Sequence, residues 1–251
     1  MKIAYTIGAY RLFPFIKLSL LQIRKLDPDA SILISDDPAH ETPAIKALAE
    51  EYGCAYRGAR TRRGHFAADF QSIVNAVVFA ESVGADIAIK ASQRFIFRKR
   101  EAIDVIHKCF ENTNIMAATP GRPTVVSGST PAKGFAAFGT LSDIVMLRVG
   151  AISAEQLLHL YRARLMREKV PWASFIECLV DELHSNVFPG RTLKIPELTN
   201  PTTDPTYLRR YQATEKEYRE LALSHGFNGQ FPLDEWGQME KGNYMCRPVV
   251  I

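Results

Sequence analysis

The sequence predicts a single α/β domain organised around a mostly parallel central sheet flanked by helices. Three observations carry the prediction. Between residues 2 and 94, short apolar runs of strand length alternate with longer segments whose apolar residues recur at helical spacing, the pattern of successive βαβ units. At 251 residues the chain is long enough to bury roughly 70–75% of its unfolded surface without disulfides or a structural metal. Its 47% hydrophobic and 23% charged residues are those of an ordinary globular protein, with no internal repeat, low-complexity tract or evident domain boundary.

Residues 2–8 form a short apolar run, read as the first buried strand. Pro14 opens a helix, where a missing N–H costs nothing, and Ile16, Leu20 and Ile23 share one face of it. Asp27-Pro28-Asp29 stops that helix, and residues 31–35 (SILIS) make the second strand, followed at once by Asp36, Asp37 and Pro38. Thr42-Pro43 starts another helix with Ile45, Leu48, Ala49 and Tyr52 inward, ended by Gly53. Residues 54–57 are a third strand. A basic loop follows, with Arg57, Arg60, Arg62, Arg63 and His65, and then a long helix over 66–83 with Phe70, Ile73, Val74, Val77 and Val78 inward and Gly84 at its end. Residues 86–89 are a fourth strand leading into Lys90-Ala91-Ser92-Gln93-Arg94.

The second half is less regular. Strands are expected over 114–119, 135–139, 143–149 and, at a sheet edge, 192–195. The Pro- and Gly-rich stretch 120–134 is a long loop. Ser153 to Gln156 and Thr214 to Glu217 have capping-box spacing, so helices start there, the second ending at Gly226. A further helix is expected over 172–184.

A net charge of +4 permits an anionic small-molecule substrate and gives no nucleic-acid footprint. The four cysteines form no CxxC pair and no zinc spacing. Cys54 lies beside a strand and Cys109 and Cys178 on apolar helix faces, as buried free thiols would. The N-terminus has no signal-like apolar core, and no apolar run approaches the ~20 residues of a spanning helix. The expected location is cytoplasmic, with peripheral membrane contact left open.

Three fingerprints are missing. No GxGxxG follows the first strand, which runs into Gly8-Ala9-Tyr10-Arg11, and neither GxxxxGK[ST] nor G-x-S-x-G occurs. The arrangement present is strand, helix, strand ending in Asp36-Asp37, helix, short strand, basic loop, long helix, and a strand GADIAI ending at a polar cluster. It resembles the GT-A glycosyltransferase superfamily over about residues 1–100. The resemblance implies a GT-A, Rossmann-like fold, a nucleotide-sugar donor, and a base or ribose contact from Asp36 and Asp37. Where that family places its metal-binding DxD, this chain reads Lys90-Ala91-Ser92-Gln93-Arg94, so no cofactor is expected, with a divalent metal left open. Lys90 and Arg94 then become candidates for the charge that a departing diphosphate needs; the alternative is a pair of surface charges flanking a strand.

Arg63, with its loop, is a candidate donor contact near a helix N-terminus, or part of a solvated basic loop. Asp69 reads as a first-turn helix residue favoured by the macrodipole. For a catalytic base the resemblance points late in the chain. Glu177 and Asp181, at i and i+4, share a helix face near His184, with Trp172 at the helix start; the alternative is an ordinary polar face opposite Ile176, Leu179, Val180 and Leu183. Lys133 in the 128–134 loop is a further phosphate candidate. The expected activity is metal-independent sugar transfer from a nucleotide-sugar to a saccharide or other small hydroxyl acceptor. The alternatives are a non-catalytic nucleotide- or glycan-binding protein and a sugar nucleotidyltransferase. Residues 1–100 would be the donor half of one domain and 101–251 the acceptor half with a C-terminal helical segment.

Overall fold

The computed structural model describes residues 1–38, 41–63, 65–120, 143–168, 176–198, 205–208 and 213–231, the side chains of residues 65–66, 167–168, 176–178 and 196 excepted. Four parallel strands come first: β1 (Ile3–Ala9), β2 (Ser31–Asp36), β3 (Ala55–Gly58) and β4 (Ile87–Ser92). Between them run α1 (Phe13–Leu26), α2 (Thr42–Glu51) and α3 (His65–Ser82). With β6 (Ala117–Pro120), β7 (Ile144–Arg148) and β8 (Thr192–Ile195), these strands build one seven-stranded sheet in the order β3-β2-β1-β4-β7-β6-β8. Among the described strands of this sheet, only β7 runs antiparallel to its neighbours. A two-stranded ribbon pairs β5 (Ile96–Phe97) with β9 (Tyr207–Leu208).

Side-chain size decides which layer packs where. On β1, Ile3, Tyr5 and Ile7 point to the face covered by α1, α2 and the amphipathic α4 (Arg100–Glu111), joining Ile16, Leu20, Ile45, Ile103 and Phe110 in one core. The alternate positions are small. Ala4 and Ala88 meet Ala76 and Ala80 of α3, and a Cβ added at Gly8 would stand 3.3 Å from the Ser72 hydroxyl. These small residues let α3 settle close to the centre of the sheet. The same face is completed by α5 (Ala154–Glu168) and α6 (Ile176–Glu182), whose Leu157, Tyr161, Leu179 and Val180 pack with Phe70 and Val77 against Val145 and Leu147. The Arg164–Glu182 ion pair, 3.2 Å, ties α5 to α6.

A third cluster holds the C-terminal segment to the start of α1. Tyr218 and Ala222 of α7 (Glu215–Leu223), with Phe231 and Leu208, close over Leu12, Phe15 and Leu18. The capping boxes at Ser153/Gln156 and Thr214/Glu217 are both formed, and Gly53, Gly84 and Gly226 take the left-handed conformation expected of helix-ending glycines.

Three readings need correction. The fourth strand continues through Ser92, so Lys90 lies inside β4, paired to Thr6 and Val145, rather than beyond it. Val78 faces outward at 37% exposure. The helix expected to end at His184 instead gives way after Glu182 to a π-helical turn, Leu183–Val187. The strand expected over 135–139, the 120–134 loop beyond Pro120 and the 172–175 helix start lie outside the described residues.

Candidate functional site

The strand order reverses between β1 and β4. In an open α/β sheet that reversal leaves a crevice beyond the C-terminal ends of the two strands. Tyr10 follows β1 there, and Gln93 follows β4. The Gln93 side-chain amide grips the Tyr10 backbone on both sides, accepting from its N–H at 2.9 Å and donating to its C=O at 3.0 Å. The next two residues, Arg11 and Leu12, have φ of 54° and 56°, a left-handed conformation that side chains with a Cβ adopt at a cost. Leu12 is held in it by the buried C-terminal cluster. The Tyr10 ring carries a guanidinium from each of two arginines, Arg11 at 5.2 Å and Arg62 at 4.9 Å from the ring centre. Tyr10 Oη and Arg11 Nε are buried and have no hydrogen-bond partner among the described residues.

One strand over, β2 delivers two buried acids. Asp36 Oδ2 accepts from the Thr42 hydroxyl and from the Tyr56 phenol, each at 2.8 Å. Burial, and then this bond to Asp36, hold the Tyr56 phenol well above its usual range, so it stays a donor. The other carboxylate oxygen, Asp36 Oδ1, is buried without a partner among the described residues. Asp37 is anchored differently: its N–H donates to the Ala9 carbonyl, and its Oδ1 accepts from the Arg63 backbone N–H at 2.7 Å. Asp37 therefore fixes the basic loop to the strand ends, and the Arg63 side chain is exposed.

These residues border a cleft of about 370 Å³ walled by the ends of β2 and β3, by Arg63, and by Gln71, Val74 and Asn75 of α3. A chain of hydrogen bonds backs it. Gln71 donates to Asn75, Asn75 donates to the Ser35 hydroxyl, and Ser72 donates to the Ala68 carbonyl beside them. The wall thus offers amides, hydroxyls and a carboxylate on one side and arginines at the rim.

The two cations expected to replace a metal are both buried. Lys90 is 1% exposed, and its ammonium meets the Asp69 carboxylate of α3 at 2.5 Å. Asp69 is thus a partner of the sheet rather than only a first-turn charge. Arg94 is 9% exposed, lies over the Phe15 ring at 5.8 Å, and accepts the Tyr218 hydroxyl at its carbonyl. A divalent cation does not fit the donor set of residues 90–94. It comprises two cations, a serine, and an amide already committed to Tyr10.

No protein-family model matches the sequence, and no curated protein does. Solved structures similar to this one include a glycosyltransferase involved in glycosylation of the major capsid of PBCV-1, at TM-score 0.48 and 11% identity over 78% of this chain and 82% of that one. A cytidylyltransferase from Leptospira borgpetersenii is similar at TM-score 0.48 and 13% identity, covering 100% of this chain and 98% of that one. A mannosyltransferase from Pyrobaculum calidifontis, in complex with GDP-Man and Mn²⁺, is similar at TM-score 0.47 and 11% identity over 81% and 57%.

On the other half of the sheet, Thr119 near the end of β6 is buried, and its hydroxyl is 3.5 Å from His184 Nε2 in the π-helical turn. Burial, and next the Lys194 charge, lower the His184 pKa, while Asp181 one turn back opposes them. Asp181 and Glu177 both fall on α6; the Glu177 side chain, Trp172 and Lys133 lie outside the described residues. The sequence reading passed over Tyr10 and Gln93, though each directly follows a strand at the reversal point, the one position such a sheet reserves for ligands. No helix is long and apolar enough to cross a membrane among the described residues.

Proposed function

We propose that the chain is a glycosyltransferase that binds a nucleotide-sugar in the cleft at the ends of β2 and β3 and moves the sugar to a hydroxyl of a saccharide or other small acceptor, without a bound metal. The observation that carries this reading is the Asp36 carboxylate. One oxygen accepts from Thr42 and Tyr56, the other is buried without a partner among the described residues, and Asp36 is one of the residues lining the cleft. A buried carboxylate oxygen left unmatched is costly, and a ligand N–H or hydroxyl would satisfy it. A nucleobase imide or a ribose diol supplies that donor. The basic loop anchored by Asp37 brings Arg63 to the same cleft, where a phosphate-linked ligand carries its charge. Glu177, or Asp181 one turn later, is the residue proposed to take the acceptor proton.

The test is thermal melting against UDP-, GDP-, CMP- and dTDP-sugars, each with EDTA and with Mn²⁺. A ligand at 100 times its Kd stabilises by about 2.7 kcal/mol, a shift of roughly 5–10 °C for a chain of this size. We expect such a shift with one nucleotide class, equal in EDTA. Asp36→Asn should weaken that ligand about 10- to 100-fold, the loss of one hydrogen bond to a charged group. A shift only in Mn²⁺ would remove the metal-free part of the reading. No shift with any donor would remove the reading itself. Release of nucleoside diphosphate in the presence of saccharide acceptors separates a transferase from a protein that only binds.

A further inference from the structure

Among the described residues, Arg11 and Leu12 are the two non-glycine residues with positive φ, and they are consecutive at the strand-order reversal. Such a conformation persists only where the surroundings over-determine it, and such strain gathers at ligand sites. What holds this one comes from the other end of the chain. Tyr218 of α7 is fully buried. Its ring packs edge-on against Phe15, with 5.0 Å between ring centres, and with Phe231 it closes over Leu12. The Phe15 N–H donates to the Leu12 carbonyl at 3.0 Å, so the ring contact reaches the left-handed backbone through one bond. The Tyr218 hydroxyl goes the other way. It donates to the Arg94 carbonyl at 2.6 Å, a buried bond across 124 residues. Arg94 follows Gln93, whose amide holds the Tyr10 backbone, and Tyr10 precedes Arg11. The contacts form a closed circuit, from Tyr218 to Arg94, Gln93, Tyr10, Leu12, Phe15 and back. Its two halves are the two lips of the crevice, and Tyr218 is where both are fastened. The circuit also joins the cleft, because the carbonyl of Ala9, beside Tyr10, accepts from the N–H of the cleft residue Asp37. Phenylalanine would fill the same core; the hydroxyl is what reaches the second lip.

We infer that Tyr218 is a positioning residue for the candidate site: its ring and its hydroxyl set the backbones of residues 10–12 and 93–94 together, so that ligand affinity depends on how firmly α7 is docked. This rests on the nucleotide reading above for the identity of the ligand, while the positioning itself can be tested without one. Tyr218 acts through the backbone that it holds. A backbone already set spares the ligand the cost of ordering it. Coupling of this kind is reciprocal, so a bound ligand in turn strengthens the docking of α7.

The experiment is amide hydrogen exchange on the full chain, free and with UDP, GDP, CMP or dTDP, together with calorimetric titration of the same nucleotides. Wild type is compared with Tyr218→Phe, which keeps the ring and removes the hydroxyl. A second variant, Thr214→Ala, loosens α7 at its cap and leaves Tyr218 in place. In the free protein, Tyr218→Phe should speed exchange over residues 9–13, where the Tyr10 N–H is otherwise held, and leave β2 at the wild-type rate. Thr214→Ala should do the same to a smaller extent. The nucleotide that binds should lose about three- to tenfold in affinity in Tyr218→Phe, the worth of one net hydrogen bond. In wild type the same nucleotide should slow exchange over α7. Lys216→Ala, on the exposed side of α7, should change none of these. Faster exchange confined to residues 214–231, a rise equal across the whole sheet, or an unchanged nucleotide affinity in Tyr218→Phe overturns the positioning role and leaves Tyr218 as packing alone. If no nucleotide binds wild type while residues 9–13 still respond to Tyr218→Phe, the positioning stands and the nucleotide reading falls.

Discussion

Lys90 is a charged residue in the middle of a central strand, where its ammonium meets the Asp69 carboxylate of α3. Removing one partner of a buried pair leaves the other charge poorly compensated, which costs more than the pair itself contributes. Asp69→Asn is therefore expected to lower stability by about 3 kcal/mol, the lower end of that range because Asp69 is partly exposed. Replacing both residues by apolar ones should recover much of the loss. Urea unfolding measures both, and an Asp69→Asn midpoint equal to wild type would show the pair to be dispensable. This pairing was not legible in the sequence, because it joins a helix to a strand face and neither residue has a local pattern that names the other. Asp36 and Asp37 were legible as two acids at a strand end. Their division of labour was not: one carboxylate accepts from Thr42 and Tyr56 and the other ties down the arginine loop.

At the scale of elements, the punctuation of the chain could be read directly. Pro14 and Pro43 open helices, Gly53 and Gly84 close them, and both capping boxes are formed. Each of these is a contact within a few residues, which is why sequence carries it. The β5–β9 ribbon is two residues on each side and has no periodicity to detect; it exists because α7 and its flanks fold back on α1. The π-helical turn after α6 was likewise invisible, since one extra residue per turn shifts no apolar position enough to break a helical pattern. The C-terminal clasp gives a measurable consequence. Thr214→Ala removes the α7 cap and should cost about 1 kcal/mol, a drop of roughly 2–4 °C in Tm. A melting temperature equal to wild type would mean that α7 is held by Tyr218 and Ala222 alone.

For the whole molecule, the parallel order of the first four strands followed from alternating strands and helices. The antiparallel β7 between β4 and β6 did not, because strand direction there is decided by long-range pairing. Electrostatics also sums at this scale. His107, His184 and His225 are all held below the usual histidine pKa, in each case chiefly by burial and next by nearby positive charge. Folding thus favours their neutral rings. The unfolded chain takes up protons as pH falls through about 6.5, and the folded chain does so only at lower pH. Their contribution is complete above that value and is lost on acidification toward the folded pKa values. Urea unfolding at pH 7.5 and 5.5 should show lower stability at 5.5, and a His107→Asn, His184→Asn, His225→Asn triple variant should lose less between the two. An equal loss would assign the acid sensitivity to other groups.

The hydrogen bonds between Tyr10 and Gln93 join residues 83 positions apart. One lip of the crevice is thus made first, and the other only after three helices and two further strands have followed. Until residue 93 has been added, β1 can pair with β2 but has no neighbour on its other side. The entropy of closing so long a loop is met by the pairing of β4 along β1, six residues deep in register, and the binding crevice comes into being only when that closure does.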